Sequence, residues 1–341
     1  MTDLVVGGGA VGTLLAWALA TGGRNVAIVR RGLDGPSRGT RIAVVAPDGG
    51  RTDASVTEVG RPSDLAEAPE LIVFAVKMFD LALAVTSCDG WPSATALTVS
   101  NGIGAEEMVG ERRRAGLIAG SVTAALAMAG DGTVVRANRG GIALAPVKGA
   151  VEPLLIALAQ AFEAAGLRVA RCADPAAMKW SKLVGNLLGN ATCAILDQSP
   201  SEVYADAGTY RLERRQLLEA FAVMRVLGLA PVALPGMDVR LLRLGLRLPD
   251  QIGRPIIRQV IAGARGSKDP SLRVHATSGS GPSEVAWLNG AVDIAARRLG
   301  RSAPVNRRLA ELVEEILVDP DRKAWFRGRP DRLVAEGERP S

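Results

Sequence analysis

Asp3-Leu4-Val5-Val6-Gly7-Gly8-Gly9-Ala10-Val11-Gly12-Thr13-Leu14-Leu15-Ala16 decides the fold. An apolar run leads into a glycine-rich turn, and the turn opens an apolar helix: a strand, G-x-G-x-x-G and a helix start, in that order. Gly7 permits the tight turn, Gly9 lets the backbone come close to a pyrophosphate, and Gly12 lets the helix pack on the strand. With Gly8, Ala10 and Val11 they form a dinucleotide cradle whose first helical N–H groups face the phosphates. The next apolar run, Ala27-Ile28-Val29, ends at Arg30-Arg31, where an NAD site usually carries an acidic residue. Guanidinium groups bind phosphate in a bidentate and always charged fashion, so this pair predicts NADP, with the contacting arginine left open between the two.

Further apolar, β-branched runs follow at Ile42–Val45, Leu71–Val76 and Ala96–Val99, alternating with helical stretches, which predicts a mainly parallel α/β sheet. Thr133–Arg136 and Ile142–Ala145, separated by Asn138, Gly140 and Gly141, are expected to pair as a terminal hairpin. After about Arg171 the apolar residues recur at helical spacing, from Asp174 through Ile195 and in five later segments. The expected architecture is therefore a Rossmann-type parallel-sheet domain over residues 1–171 and an all-helical domain over residues 172–330. Residues 331–341 are a charged tail expected to fray, and Gly263–Pro282, rich in Gly, Ser and Pro, is expected to form a long loop.

Composition narrows the chemistry. The chain has 341 residues, 48% of them hydrophobic, enough for two cores. No uncharged apolar run is long enough to span a membrane, and no secretory leader precedes the first strand, so the expected location is cytoplasmic. Three scattered cysteines without a C-x-x-C pair argue against a disulfide framework and a zinc site and read as small buried hydrophobes. One histidine, His275, leaves no metal site built on histidine and little choice of histidine acid or base. The net charge of +6 is spread over many arginines, and aromatics are only 4% of residues, which argues against a nucleic-acid surface. A small anionic ligand suits that charge, and apolar faces in the helical half are compatible with a homodimer.

One helical stretch carries an unusual pattern: Trp180-Ser181-Lys182-Leu183-Val184-Gly185-Asn186, followed by Gly189 and Asn190. On one continuous helix, Lys182, Asn186 and Asn190 span about 80° of the circumference, a narrow polar stripe flanked by Gly185 and Gly189. Asn and Gly are poor helix formers, and two of each within six residues call for a compensating function. A solvated face would carry long charged side chains instead. Lys179, three residues before Lys182 and on a similar face, is the competing candidate for an acid here, and its default reading is a solvated lysine.

Taken with Val76-Lys77 at a strand end, Ser100-Asn101-Gly102-Ile103-Gly104 after the next strand, and the late Pro270-Ser271, Glu284 and Asn289-Gly290, this helix resembles the ketopantoate reductase family from about residue 3 to about residue 318. Members of that family reduce 2-dehydropantoate to pantoate with NADPH. The resemblance implies that Lys182 is the proton donor and that Asn186, Asn190 and Ser271 contact the substrate. It also implies that Lys77 and Asn101 lie at the nicotinamide end, with Asn101 near the substrate too, and that Glu284 sits between cofactor and substrate. With histidine nearly absent, an ammonium group is the natural acid for a developing alkoxide.

Three departures from the family pattern bear on the substrate. His275 stands where an acidic residue often follows the serine, the Ser271–Glu284 spacing is one residue longer than expected, and Ser100 replaces a usual Gln. They point to an altered substrate preference with the reaction type intact. The alternatives are a related NADP-dependent reductase or dehydrogenase acting on a different keto or hydroxy acid, and a nucleotide-sensing protein without turnover. Retention of Lys182 with both asparagines argues against the sensor.

Overall fold

The structure, a computed structural model, describes residues 2–33, 35–265, 269–278 and 281–337. The chain divides into two compact units, Met1–Lys179 with Leu234–Gly236, and Trp180–Ala233 with Met237–Ser341.

The first unit is an α/β layer structure. Its elements are β1 (Thr2–Val6), α1 (Ala10–Thr21), β2 (Asn25–Val29), β3 (Arg38–Val45), β4 (Arg51–Val59), β5 (Leu71–Phe74), α2 (Met78–Thr86), β6 (Thr95–Thr98), α3 (Ala105–Gly110), β7 (Leu117–Val122), β8 (Leu126–Met128), β9 (Val134–Arg136), β10 (Gly141–Lys148), α4 (Glu152–Ala164) and β11 (Arg168–Arg171). They build one eleven-stranded sheet in the order β11-β10-β7-β6-β5-β1-β2-β4-β3-β9-β8. The strands from β7 through β4 in that order pair in parallel. β1 and β5 are covered on both faces, which is why they read as unbroken apolar runs: Leu4, Val5, Leu71, Ile72, Val73 and Phe74 are all buried. Leu14, Leu15, Trp17 and Leu19 of α1 pack into the same core. Each such large side chain contributes about 1.5–3 kcal/mol by leaving water.

Two features of this sheet differ from the expectation. Strand β4 pairs antiparallel with β3 from Arg38↔Glu58 to Val45↔Arg51, a hairpin not anticipated. In its sequence, Arg51-Thr52-Asp53-Ala54-Ser55-Val56-Thr57-Glu58-Val59, alternation is confined to Ala54–Thr57, and the first three residues are polar and exposed. The expected hairpin between Thr133–Arg136 and Ile142–Ala145 does not form. Strand β9 pairs with β8 and β3, whereas β10 pairs with β7 and β11. Asn138 caps a bend instead of a tight turn, its Oδ1 accepting from the N–H groups of Ala125 (2.8 Å) and Gly140 (3.1 Å). Gly141 to Ala145 are buried throughout, which suits an interior strand.

Helix α5 (Pro175–Leu187) carries the division between the units. The second unit continues with α6 (Asn190–Leu196), α7 (Pro200–Ala205), α8 (Ala207–Val226), the short strands β12 (Ala233–Leu234) and β13 (Met237–Asp238), α9 (Val239–Gly245), α10 (Asp250–Arg265), α11 (Ser271–Ser278), α12 (Asn289–Arg298), α13 (Pro304–Val318), α14 (Pro320–Phe326) and α15 (Pro330–Gly337). Every residue of α6 is buried. Helix α13 faces it with Val305, Leu309, Leu312, Val313 and Ile316, an apolar stripe at helical spacing. The short helix α7 starts at a capping box in which Ser199 accepts from the Glu202 N–H and the Glu202 carboxylate accepts from the Ser199 N–H.

Three further expectations give way here. The helix expected to run through Ile195 breaks at Gly189, which adopts φ 59°. The expected long loop Gly263–Pro282 holds the end of α10 and all of α11; its residues 266–268 and 279–280 lie outside the described residues. The tail expected to fray is helical through Gly337, because Leu333 is buried and the Glu336 carboxylate accepts from Arg308 at 2.7 Å; residues 338–341 lie outside the described residues. Among the described residues, no helix is long and apolar enough to cross a membrane. Of the cysteines, Cys88 and Cys193 are buried and Cys172 is only half-buried.

Candidate active site

The glycine-rich turn has the shape that a pyrophosphate cradle requires. Gly7 adopts φ 122°, and a Cβ there would lie 2.5 Å from the Ala75 carbonyl oxygen. A Cβ on Gly12 would lie 1.8 Å from the Gly7 carbonyl, so helix and turn meet only through glycine. At Gly9, by contrast, an added Cβ would meet nothing within 4 Å, leaving that backbone open to an incoming group. Gly9 is also the N-cap of α1, and no side chain caps the helix there, the kind of helix start that suits an anion. The cradle lies at the carboxyl end of β1, and the ends of β2, β5 and β6 share that edge of the parallel sheet, where ligands of open α/β folds bind. These residues fit a dinucleotide.

The two arginines after β2 have different environments. The Arg30 guanidinium donates to the Gly8 carbonyl and, through Nε, to Glu58 Oε1 at 3.1 Å; its side chain is 22% exposed. The Arg31 side chain is 79% exposed and pairs with Asp80 in the first turn of α2. Arg30 thus braces the turn, whereas Arg31 reaches outward.

At the ends of β5 and β6, Lys77 is exposed and forms the N-cap of α2, while Asn101 is half-buried. Ser100 is buried and donates to the Val76 carbonyl at 2.8 Å, tying the two strand ends together. Lys179 is not the solvated lysine expected. It is 5% exposed, its Nζ donating to the Ser100 carbonyl at 2.8 Å and pairing with Glu106 Oε1 at 3.0 Å, which Thr98 Oγ1 also reaches at 2.6 Å. Lysine was legible at this position but its depth was not, because burial here depends on Glu106 arriving from another helix.

In the second unit, Lys182 and Asn186 lie one turn apart on α5, both half-buried. Gly185 between them packs on Met237: a Cβ at Gly185 would lie 2.1 Å from the Met237 sulfur. The single stripe through Asn190 does not survive the break at Gly189. Asn190 opens α6 instead, and its side chain is held from α11: Leu272 N–H donates to Asn190 Oδ1 at 2.9 Å, and Asn190 Nδ2 lies 3.4 Å from Ser271 Oγ. Asn190 and Ser271 are therefore brought together, but by the packing of two helices rather than by periodicity along one. Arg273, two residues beyond Ser271, reinforces that packing by pairing with Asp197 at the end of α6 at 3.2 Å. Glu284 is buried and immediately precedes a single 3-10 turn, Val285–Trp287. His275 Nε2 pairs with the Gly281 carbonyl at 3.0 Å, fastening the end of α11 to the segment that follows.

The break is held open by a residue that the sequence reading passed over. Glu213 of α8 is fully buried, and its carboxylate accepts from Gly189 N–H (2.9 Å), Thr192 Oγ1 (2.7 Å) and Tyr204 OH (2.5 Å). Burial pushes the Glu213 carboxyl above its ordinary range, and these donors only partly restore it. A visible signal existed: a carboxylate in register with Thr209, Gln216, Leu217 and Ala220, on the face of α8 that is otherwise inside.

Fold and glycine turn together define a Rossmann-type α/β unit joined to a helical unit. Residues 4–149 match the family model for ketopantoate reductase PanE/ApbA, and residues 174–317 match the model for its C-terminal part. The chain belongs to the ketopantoate reductase family, whose members are oxidoreductases. It is 28% identical over 326 residues to a 2-dehydropantoate 2-reductase of Halobacterium salinarum, covering 92% of this chain and 98% of that protein. Among solved structures, a PanE/ApbA family ketopantoate reductase from Ralstonia eutropha shares the fold with a TM-score of 0.76 at 24% identity, over 95% of this chain and 100% of that one. D-mandelate dehydrogenase, solved with NADH and anilino(oxo)acetate, superposes with a TM-score of 0.74 at 18% identity, over 93% and 99% of the two chains.

Proposed function

We propose that this chain is a cytoplasmic reductase that uses NADPH to convert 2-dehydropantoate, or a similar small 2-keto acid, into the 2-hydroxy acid. The observation that carries the reading is the side-chain set of the second unit: half-buried Lys182 and Asn186 on α5, and Asn190 locked against Ser271. When bound, the reduced nicotinamide supplies the hydride that the keto carbon takes up. Lys182 donates a hydrogen bond to the keto oxygen and transfers its Nζ proton there as the C–O bond becomes an alcohol, leaving a neutral amine to be reprotonated from solvent. Asn186, Asn190 and Ser271 hold the carboxylate and the remaining oxygens, and Glu284 accepts from the new hydroxyl. Lys77 and Asn101 orient the nicotinamide end, and the turn from Gly7 to Gly12 holds the pyrophosphate.

The test of the enzyme reading is loss of the near-ultraviolet absorbance of NADPH that depends on added keto acid; absence of turnover across a panel of 2-keto acids would overturn it. A second reading, a different 2-keto acid as the preferred substrate, is favoured by His275 and its tie to Gly281 beside the Ser271 helix. On that reading another 2-keto acid in the same panel should exceed 2-dehydropantoate in kcat/KM, and 2-dehydropantoate ranking first would refute it.

For the cofactor, we assign the 2′-phosphate contact to Arg31, because Arg30 is committed to Gly8 and Glu58. Arg31→Ala should raise the apparent constant for NADPH about tenfold and leave that for NADH nearly unchanged. Arg30→Ala should weaken both cofactors, because it releases the glycine turn itself. Equal efficiency of the intact protein with both cofactors would contradict the NADPH assignment.

A further inference from the structure

The exposed Arg31 does not face a purely basic surrounding. Asp80, the third residue of α2, pairs with its Nη2, and the Asp80 side chain is itself only 26% exposed. Around the end of β2, among the described residues, the guanidinium groups of Arg30, Arg31 and Arg38 meet the carboxylates of Glu58 and Asp80. Glu58 is buried and divided between Arg30 at 3.1 Å and Arg38 at 3.0 Å, so it cements the β2–β4 edge. Among the described residues the Asp80 carboxylate pairs with Arg31, whose side chain is 79% exposed, and it holds no pair of strands together.

We infer that Asp80 sets the discrimination between phosphorylated and unphosphorylated cofactor by competing with the 2′-phosphate for Arg31. This rests on the dinucleotide reading of the Gly7–Gly12 turn. The competition has two parts. A 2′-phosphate must displace the carboxylate from the guanidinium, which costs little because an exposed ion pair contributes at most about 1 kcal/mol. Once displaced, the carboxylate remains tethered to the first turn of α2 and still repels the phosphate at short range, an effect that dissolved salt weakens. An adenosine ribose with a free 2′-hydroxyl carries no charge there and meets neither part. Asp80 therefore penalises NADPH selectively, and the protein favours NADPH less than Arg31 alone would make it.

The experiment titrates NADPH and NADH into the intact protein by fluorescence, and repeats this with 2′,5′-ADP and 5′-AMP, which carry only the adenosine end. Asp80→Asn removes the charge, keeps the shape and should tighten NADPH and 2′,5′-ADP about fivefold, with NADH and 5′-AMP shifted less than twofold. The gain should vanish in the Arg31→Ala background and shrink at high salt. Equal shifts for the phosphorylated and unphosphorylated ligands, or no shift at all, would overturn the inference while leaving the cofactor site standing. Failure of the unmodified protein to bind either dinucleotide would overturn the cofactor reading and the role of Asp80 with it.

Discussion

Lys182→Ala should lower keto-acid turnover by at least about a hundredfold while the affinity for NADPH stays within about twofold of the parent, because a positioned general acid supplies about 10²- to 10⁴-fold in rate. A hundredfold loss corresponds to about 2.7 kcal/mol of barrier. The expectation follows from the chemistry of the reduction, which develops negative charge on one oxygen, and from the scarcity of other acids in a chain with a single histidine. The informative control is Lys179→Ala. That lysine is buried between the Ser100 carbonyl and Glu106, so its removal leaves a carboxylate without its cation and should cost stability in denaturant unfolding more than turnover per folded molecule. Near-normal turnover in Lys182→Ala together with a loss in folded Lys179→Ala would reverse the two roles and remove the proton-donor assignment.

Glu213→Ala should destabilise the protein by about 3 kcal/mol and raise the keto-acid KM about tenfold more than it lowers kcat. The variant leaves Gly189 N–H, Thr192 OH and Tyr204 OH buried without their acceptor, and each such group costs about 1–3 kcal/mol. Without that anchor the chain at Gly189 loses the constraint that starts α6 at Asn190, and with it the alignment of Asn190 on Ser271 and Leu272. Glu213→Gln offers a check on the geometry. Its amide oxygen can accept from Gly189 and Tyr204 while its NH2 donates to Thr192, so most of the stability and of the KM should return. Urea unfolding and steady-state kinetics on both variants decide the matter; parental stability and KM in Glu213→Ala would show that the helix break stands without the carboxylate.

How far these residues could be read in advance varied with the range of the interaction that places them. The turn was legible because most of its geometry is local: Gly7 takes φ 122° and Gly12 meets the Gly7 carbonyl within one short turn, while only the approach of Gly7 to Ala75 needs a neighbouring strand. The buried strands β1 and β5 were legible because both their faces are apolar. Strand β4 was not, since a half-exposed strand with Arg51, Asp53 and Glu58 looks polar until β3 is laid beside it. Of the proposed chemical site, Lys182, Asn186 and Asn190 were visible as an odd composition for a helix, and Ser271 only through the family resemblance.

What the sequence by itself determined is therefore the class of the chain: a glycine turn between a strand and a helix, a basic pair after the second strand, a helical second half, and membership of a reductase family. The first three follow from backbone sterics and short-range periodicity, which neighbours in the chain settle among themselves; the family came from the resemblance that its motifs carry. Tertiary structure alone decided that the stripe is two helices, that Lys179 is buried, that Arg30 braces the turn while Arg31 reaches outward, and that Asp80 meets Arg31. Each of these depends on a partner between 22 and 79 residues away along the chain. The strength of such polar contacts comes from burial and from the fixed approach of a second element, neither of which a local pattern of residue types encodes.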